Sequence, residues 1–299
     1  MKLSTCYGFD IESELSFNYL RGGGGQSLTV VESDEEIEEP SSSPLVEWKP
    51  HEARQLHGKL YHQDGIYRLW FKRFGWFNID PQARKITVPP FEDTARLEAR
   101  LWGTAIALCF EARGDIDLHA ASVEIDGGAL LFAAPGKFGK TTLAATFLRR
   151  GFRLLSEDRS CCHPGGDPIV YPGPATLRLR RDVYEAMDFP GTYLTTEDPD
   201  RVHLAIDEEL RGDSSPLSIR GIVLLRRTEG ELRMEPAESA DSLRDMWSLG
   251  LNLPTDEHRT RAFGDIAALS SRVPVWNLYR RLEFQNLDAV VDKIIDACG

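Results

Sequence analysis

Nothing in this sequence approaches the roughly 18 consecutive apolar residues needed to span a bilayer. The opening stretch Met1-Lys2-Leu3-Ser4-Thr5-Cys6 also lacks the apolar core of a secretory signal. The chain is therefore expected to be soluble, unexported and cytoplasmic. Cysteine is scarce and odd in number. Cys6, Cys109, Cys161, Cys162 and Cys298 show neither the spacing of a disulfide framework nor that of a zinc knuckle. The adjacent Cys161-Cys162-His163 cannot readily close a tetrahedral metal site, and no second pair lies near it in sequence. Positive charge is also in short supply: 35 Lys and Arg face 47 Asp and Glu, a net charge of −12. So acidic a chain lacks the basic stripe that a nucleic-acid backbone or an anionic membrane surface demands. Neither is expected as a partner.

What is present can build a core. With 299 residues and 41% hydrophobic composition, the chain can bury one large core and a smaller second one. Residues 1–90 read as a strand-rich module. Tyr67-Arg68-Leu69-Trp70-Phe71-Lys72-Arg73 nearly alternates apolar and polar residues, Trp76-Phe77-Asn78-Ile79 follows, and Asp80-Pro81-Gln82-Ala83 is a turn before the return strand Lys85-Ile86-Thr87-Val88. The acidic, serine- and proline-rich stretch 32–44 is expected to be a disordered insertion, because it has too little apolar surface to pack. Pro89-Pro90 marks a boundary, and residues 91–299 read as a second, α/β domain. That domain is expected to open with a helix from Asp93 to about Ala112, whose apolar residues recur at Leu97, Leu101, Ala105 and Leu108.

The informative stretch follows. Ala120–Ile125 and Ala129–Ala133 read as a hairpin across Asp126-Gly127-Gly128. A loop then runs to Gly139, a helix is expected over Thr141–Arg150, and Phe152-Arg153-Leu154-Leu155 reads as a strand that ends on Ser156-Glu157-Asp158. Further strands are expected at Ala175–Arg180 and Ile219–Arg226, and a terminal helix at Leu287–Cys298 that buries Val290, Val291, Ile294 and Ile295.

A protein can hold a polyphosphate with backbone N–H groups where a tight loop curls before a helix N-terminus. The usual pattern has a glycine five residues before a Gly-Lys-Ser/Thr triplet, whose lysine reaches the β/γ oxygens and whose hydroxyl meets Mg²⁺. Ala134-Pro135-Gly136-Lys137-Phe138-Gly139-Lys140-Thr141-Thr142 supplies the triplet in the right strand–loop–helix context. Ala134 stands where the first glycine is usual, and Gly136 is expected to supply the flexible point instead. An ordinary strand-to-helix turn is the bland alternative.

If the strand before Glu157 lies parallel and adjacent to the strand before the loop, both acids emerge at the sheet edge that carries the loop. One acid could then hold Mg²⁺ and the other accept a proton. Asp158 is expected to act with its ordinary pKa of about 3.9. His119, which opens the hairpin, is either a third member of this site or a structural histidine.

Three stretches in order, Leu118-His119-Ala120-Ala121-Ser122-Val123, the segment Ala134 to Thr142, and Arg149-Arg150-Gly151-Phe152-Arg153-Leu154-Leu155-Ser156-Glu157-Asp158, resemble the catalytic domain of HPr kinase/phosphorylase. The strand-rich region from Tyr7-Gly8-Phe9-Asp10 looks more like the shorter HPr-kinase-like proteins of peptide natural-product clusters, lasso-peptide kinases among them. The resemblance implies a P-loop kinase domain of the HPr kinase/PEP carboxykinase type with a smaller N-terminal domain. It also implies ATP and Mg²⁺ as cofactors and transfer of the γ-phosphate to a serine of a peptide or small protein.

Carried over position by position, the resemblance makes Lys140 the ligand of the β/γ-phosphates and Thr141 a metal ligand. Asp158 becomes the base, and His119 a neighbour of the transferred phosphate. Glu157 replaces the first aspartate of the family's acid pair and shares the metal with Thr141 and Asp158. The family's downstream glutamate has no clear counterpart in Thr176-Leu177-Arg178-Leu179-Arg180-Arg181-Asp182, where an arginine could clamp phosphate instead. Kinase rather than phosphorylase activity is expected. Two other readings use the same residues: a nucleotide-binding regulatory or scaffold protein without transfer, and a kinase of small metabolites. Oligomeric state stays open, a homo-oligomer included.

Overall fold

The computed structural model describes residues 4–18, 20–22, 25–35, 37–49, 56–187, 189, 192–195 and 200–298. It is a mixed α/β structure with two nine-stranded sheets and one three-stranded sheet. No helix among the described residues is long and apolar enough to cross a membrane.

The first sheet gathers the strands of the N-terminal region. Its better half is a meander, Gly58–Gln63, Ile66–Phe71, Gly75–Asp80 and Lys85–Val88, in which antiparallel neighbours pair in sequence order. Asp64 and Gly65 take positive φ of 53° and 80° at the first turn, as a two-residue hairpin with right-handed strand twist requires. At the next turn but one, Asp80 Oδ1 accepts from the Ala83 N–H at 2.9 Å. Beyond Lys85–Val88 the sheet continues through parallel pairings to Gln26–Glu32 and Phe9–Glu12, connections that the sequence did not signal.

Beyond Glu32, which ends the strand Gln26–Glu32, the described residues of the acidic stretch form no helix or strand, yet they are tied to the sheet. The Ser33 N–H donates to Val88 O at 3.0 Å and the Leu45 N–H to Leu60 O at 2.7 Å. The Glu39 carboxylate accepts from Lys59 Nζ and the Tyr61 hydroxyl, each at 2.5 Å. Composition hides such anchors because they depend on where the neighbouring strand puts its cation.

The helix expected from Asp93 is present with a break. Asp93 caps Thr94–Arg100 by accepting from the Arg96 N–H at 3.1 Å. A π-helical turn over Leu101–Ala105 follows, with Gly103 outside helical geometry at φ −92°, ψ −113°. Ile106–Arg113 then runs to Gly114, whose φ of 88° ends it. The apolar stripe of this helix, Leu97, Leu101, Leu108 and Phe110, is buried in the core of the first sheet.

The second sheet carries the loop. Ala120–Ile125 and Gly128–Ala133 form the expected hairpin, in register from Ala120↔Ala133 to Ile125↔Gly128. The other neighbour of Gly128–Ala133 is the parallel strand Leu217–Arg227, which also pairs in parallel with Val275–Arg280. Arg153–Ser156 departs from the expected place. It lies beside Ala120–Ile125, antiparallel, with Ser122 opposite Ser156. The tight hairpin has already filled the seat next to the loop strand, so the connecting helix Lys140–Arg149 must cross over one extra strand. Two antiparallel steps restore direction, and Arg153–Ser156 still runs parallel to Gly128–Ala133.

Lys140–Arg149 and Leu287–Cys298 cover one face of the sheet, with Leu143, Phe147, Val291 and Ile294 in one core beside Phe132. The Phe132 and Phe147 rings lie 5.1 Å apart. Ser239–Leu249 and Asp256–Arg272 cover the other face through Met246, Leu249, Ile266 and Leu269. The small third sheet places Thr176–Arg180 at its edge, paired with Arg201–Ala205.

Candidate functional site

Strand direction gathers the site. The end of Gly128–Ala133, the start of Ala120–Ile125 and the end of Arg153–Ser156 lie at one edge of the sheet. The loop 134–139, His119 and the Glu157-Asp158 pair therefore emerge together.

The curl of the loop comes from Lys137, with φ 69°, and Gly139, with φ 79°. Gly136, expected to be the flexible point, does not take positive φ, and neither does Ala134. The alanine thus fits its position without a glycine's freedom. At Gly139 the requirement is double, because an added Cβ would also lie 2.5 Å from Arg280 Nη2. Arg280, at the end of Val275–Arg280, donates to Phe138 O at 3.1 Å and Gly139 O at 3.3 Å. Burial, reinforced by the charge of Arg227, pulls its pKa down to about 10. The Arg227 guanidinium sits 5.4 Å from the centre of the Phe138 ring. Gly136 and Lys137 are exposed at the loop's crest.

Lys140 begins the helix and folds its ammonium back into the loop, donating to Ala134 O at 2.8 Å and Pro135 O at 3.2 Å. Burial lowers its pKa to about 8, against the opposing pull of Asp158 and Glu157. Thr142, one residue on, is half-buried, and its carbonyl accepts from Thr146 Oγ1 at 2.9 Å.

Thr141 Oγ1 donates to Glu157 Oε1 at 2.9 Å. The other oxygen of Glu157 accepts from Arg178 Nε at 2.8 Å. Arg178 reaches on to Asp158, with Nη2 3.2 Å from Oδ2, and Asp158 Oδ1 lies 3.1 Å from His119 Nε2. His119 is held from behind by its N–H to Leu249 O, 2.8 Å. Removal from water raises the Asp158 pKa, but the His119 hydrogen bond and the charges of Arg178, His119 and Arg159 outweigh that. They hold it well below the ordinary carboxylate range. The expectation of an ordinary value is corrected accordingly. Next door, Arg159 pairs with the buried Asp117.

His119, Asp158, Glu157 and Thr141 thus share one bonded cluster through Arg178, and Lys140 and Thr142 adjoin it as the chain neighbours of Thr141, after the loop 136–139. Of the arginines in 176–182 that could clamp phosphate, Arg178 grips the two carboxylates here. Arg280 gave no sequence signal, since it follows a strand far downstream and its role depends on sheet order. Cys161 and Cys162 are buried free thiols. Among the described residues no group of three or more His, Cys, Asp and Glu is placed to hold a metal. The Thr141 hydroxyl and the Glu157 carboxylate do offer adjacent hard oxygens. Mg²⁺ suits such a site, because it takes one or two protein oxygens and fills its octahedron with phosphate and water.

No family model matches the chain, and no curated protein matches it. Among solved structures, the HPr(Ser) kinase/phosphatase from Coxiella burnetii is similar at 11% identity with a TM-score of 0.33, over 60% of this chain and 95% of that one. The likeness is distant and confined to the fold, too loose to transfer the role of any residue.

Proposed function

We propose that the chain is an ATP·Mg²⁺-dependent phosphotransferase that moves the γ-phosphate to a serine hydroxyl of a peptide or small protein. The observation that supports it is the shared sheet edge, from which the loop leading into the Lys140 helix, His119 and the Glu157-Asp158 pair emerge, with Thr141 bonded to Glu157 and His119 bonded to Asp158. The amides of the loop and the Lys140 ammonium would neutralise the triphosphate. Thr141 and Glu157 would hold Mg²⁺, which supplies charge neutralisation at the β/γ oxygens. Arg280 donates to the Phe138 and Gly139 carbonyls and so braces the backbone of the loop.

Asp158, oriented by His119 and Arg178, would align the acceptor hydroxyl. In a loose transition state the hydroxyl loses its proton late, so a weakly basic carboxylate suffices and positioning contributes most. The test is transfer from γ-labelled ATP to candidate peptides. Asp158→Asn is expected to lower kcat by ~10²–10⁴-fold with ATP affinity kept. Absence of transfer, with the variant indistinguishable from the parent, would overturn the assignment.

One observation favours a second reading. Arg178 already occupies an oxygen of each carboxylate, as a protein that binds nucleotide without turning it over could tolerate. Calorimetry separates the two: ATP binding with no turnover supports the regulatory reading.

A further inference from the structure

The sheet edge that carries the loop has two flanks. Strand order puts Ala120–Ile125 and then Arg153–Ser156 on one side of Gly128–Ala133, and Leu217–Arg227 and then Val275–Arg280 on the other. The last two run parallel to the loop strand, so their final residues, Arg227 and Arg280, emerge at the loop's edge. The flanks differ in kind. On the first, His119, Glu157, Asp158 and Arg178 are bonded to one another. The second is cationic and apolar. Arg280 is committed to the Phe138 and Gly139 carbonyls, and Arg281 to Glu229 O at 2.8 Å. Arg227 packs on the Phe138 ring and has neither a carboxylate nor a hydrogen-bond acceptor as partner among the described residues. Next in the chain come Leu282 and Phe284, two of three exposed large hydrophobic side chains among the described residues. The third, Phe263, packs on Trp247. Leu282 stands at the loop itself: its Cδ2 lies 3.7 Å from where a Cβ on Gly139 would sit. Glu283, between the two, accepts from Asn286 Nδ2 at 3.2 Å.

We propose that this second flank receives the nucleoside end of a nucleotide whose phosphates occupy the loop, with the base lying against Leu282 and Phe284. The inference rests on the nucleotide binding that both readings above share, and it adds a polarity: the phosphate chain runs along the sheet edge from the Arg227 side toward Asp158. A loop that grips phosphate leaves both ends of its ligand outside, so each flank must host one end. Charge assigns them. The carboxylates of the first flank repel phosphate unless a cation intervenes, whereas the guanidinium of Arg227 attracts it unaided. Surface chemistry agrees with charge. A flat, weakly polar base gains by covering apolar carbon that otherwise stands in water, and beside the loop that carbon is on Leu282.

The experiment uses the full chain with ATP, inorganic tripolyphosphate, and 8-azido-ATP, whose photoreactive group sits on the base. Leu282→Ser removes apolar contact at an exposed position, so the fold should keep its unfolding midpoint. Its Kd for ATP is expected to rise about five- to tenfold, while its Kd for tripolyphosphate stays within about twofold of the parent's. After photolysis and trypsin digestion, the base should be found attached to the peptide Leu282–Lys293. An ATP affinity unmoved by the substitution, equal weakening of both ligands, or attachment to Leu101–Arg113 or Leu154–Arg159 on the acidic flank would overturn the assignment. So would a parent that binds tripolyphosphate and not ATP, which leaves the loop its phosphate and removes the base site. A parent that binds neither ligand defeats the nucleotide reading itself.

Discussion

Replacing Lys140 by methionine should stabilise the nucleotide-free protein while destroying its response to ATP. The ammonium is buried and its pKa falls from 10.5 to about 8, which at about 1.4 kcal/mol per unit makes the charged side chain cost ~3 kcal/mol in the folded state. Methionine removes that cost with little change in volume. It also leaves Ala134 O and Pro135 O without their donor, a loss of ~1 kcal/mol each where the carbonyls can turn to water. The net expectation is a gain of ~1–2 kcal/mol near pH 7, or a rise of a few degrees in Tm for a chain of this length. The pH dependence has a definite sign. The unfolded lysine holds its proton to a higher pH than the folded one, so the penalty is complete below pH 8 and fades as pH climbs toward 10.5. The advantage of Lys140→Met should therefore shrink over that window. Saturating ATP at 100 times Kd would add ~2.7 kcal/mol to the parent and nothing to the variant. Thermal unfolding at several pH values, with and without ATP·Mg²⁺, measures every term. A variant less stable than the parent by 2 kcal/mol at pH 7, or one still stabilised by ATP, would refute the reasoning.

Gly139→Ala should cost ~1–3 kcal/mol, because a side chain is forced to positive φ where Arg280 already stands; Tm reports the cost, and loss of ATP binding should accompany it. Arg178→Gln should raise the Asp158 pKa by removing one of the charges that depress it, so the acid limb of the kcat profile moves to higher pH; an unmoved limb would separate Asp158 from the rate. Phe147→Ala removes a ring packed on Phe132 and should destabilise by ~3–5 kcal/mol, read from denaturant midpoints.

Local elements were legible because their signals are local. The hairpin at Asp126-Gly127, the strand–loop–helix of 128–149 and the terminal helix Leu287–Cys298 follow from turn chemistry and periodicity within a few residues. The emergence of the loop, His119 and the Glu157-Asp158 pair at one sheet edge was expected from adjacent parallel strands, and it survives an interposed strand because two antiparallel steps restore the direction. Partner choice was not legible. That Arg153–Ser156 sits one strand further out, that Arg178 grips acids instead of phosphate, and that Arg280 braces the loop all depend on contacts between residues 20 or more positions apart. The break at 101–105 was hidden as well, because a π-turn shifts the helical phase without interrupting the apolar pattern.

The Asp126-Gly127 turn lies six residue pairs away from the reacting end, yet it sets the alignment there. Insertion of a single residue in that distant turn would slide His119 by about 3.3 Å along its strand relative to the loop and invert which face each side chain meets. Length changes at this remote hairpin should thus disturb the His119–Asp158 pairing as much as a substitution in that pair, even though the turn lies at the opposite end of the two strands.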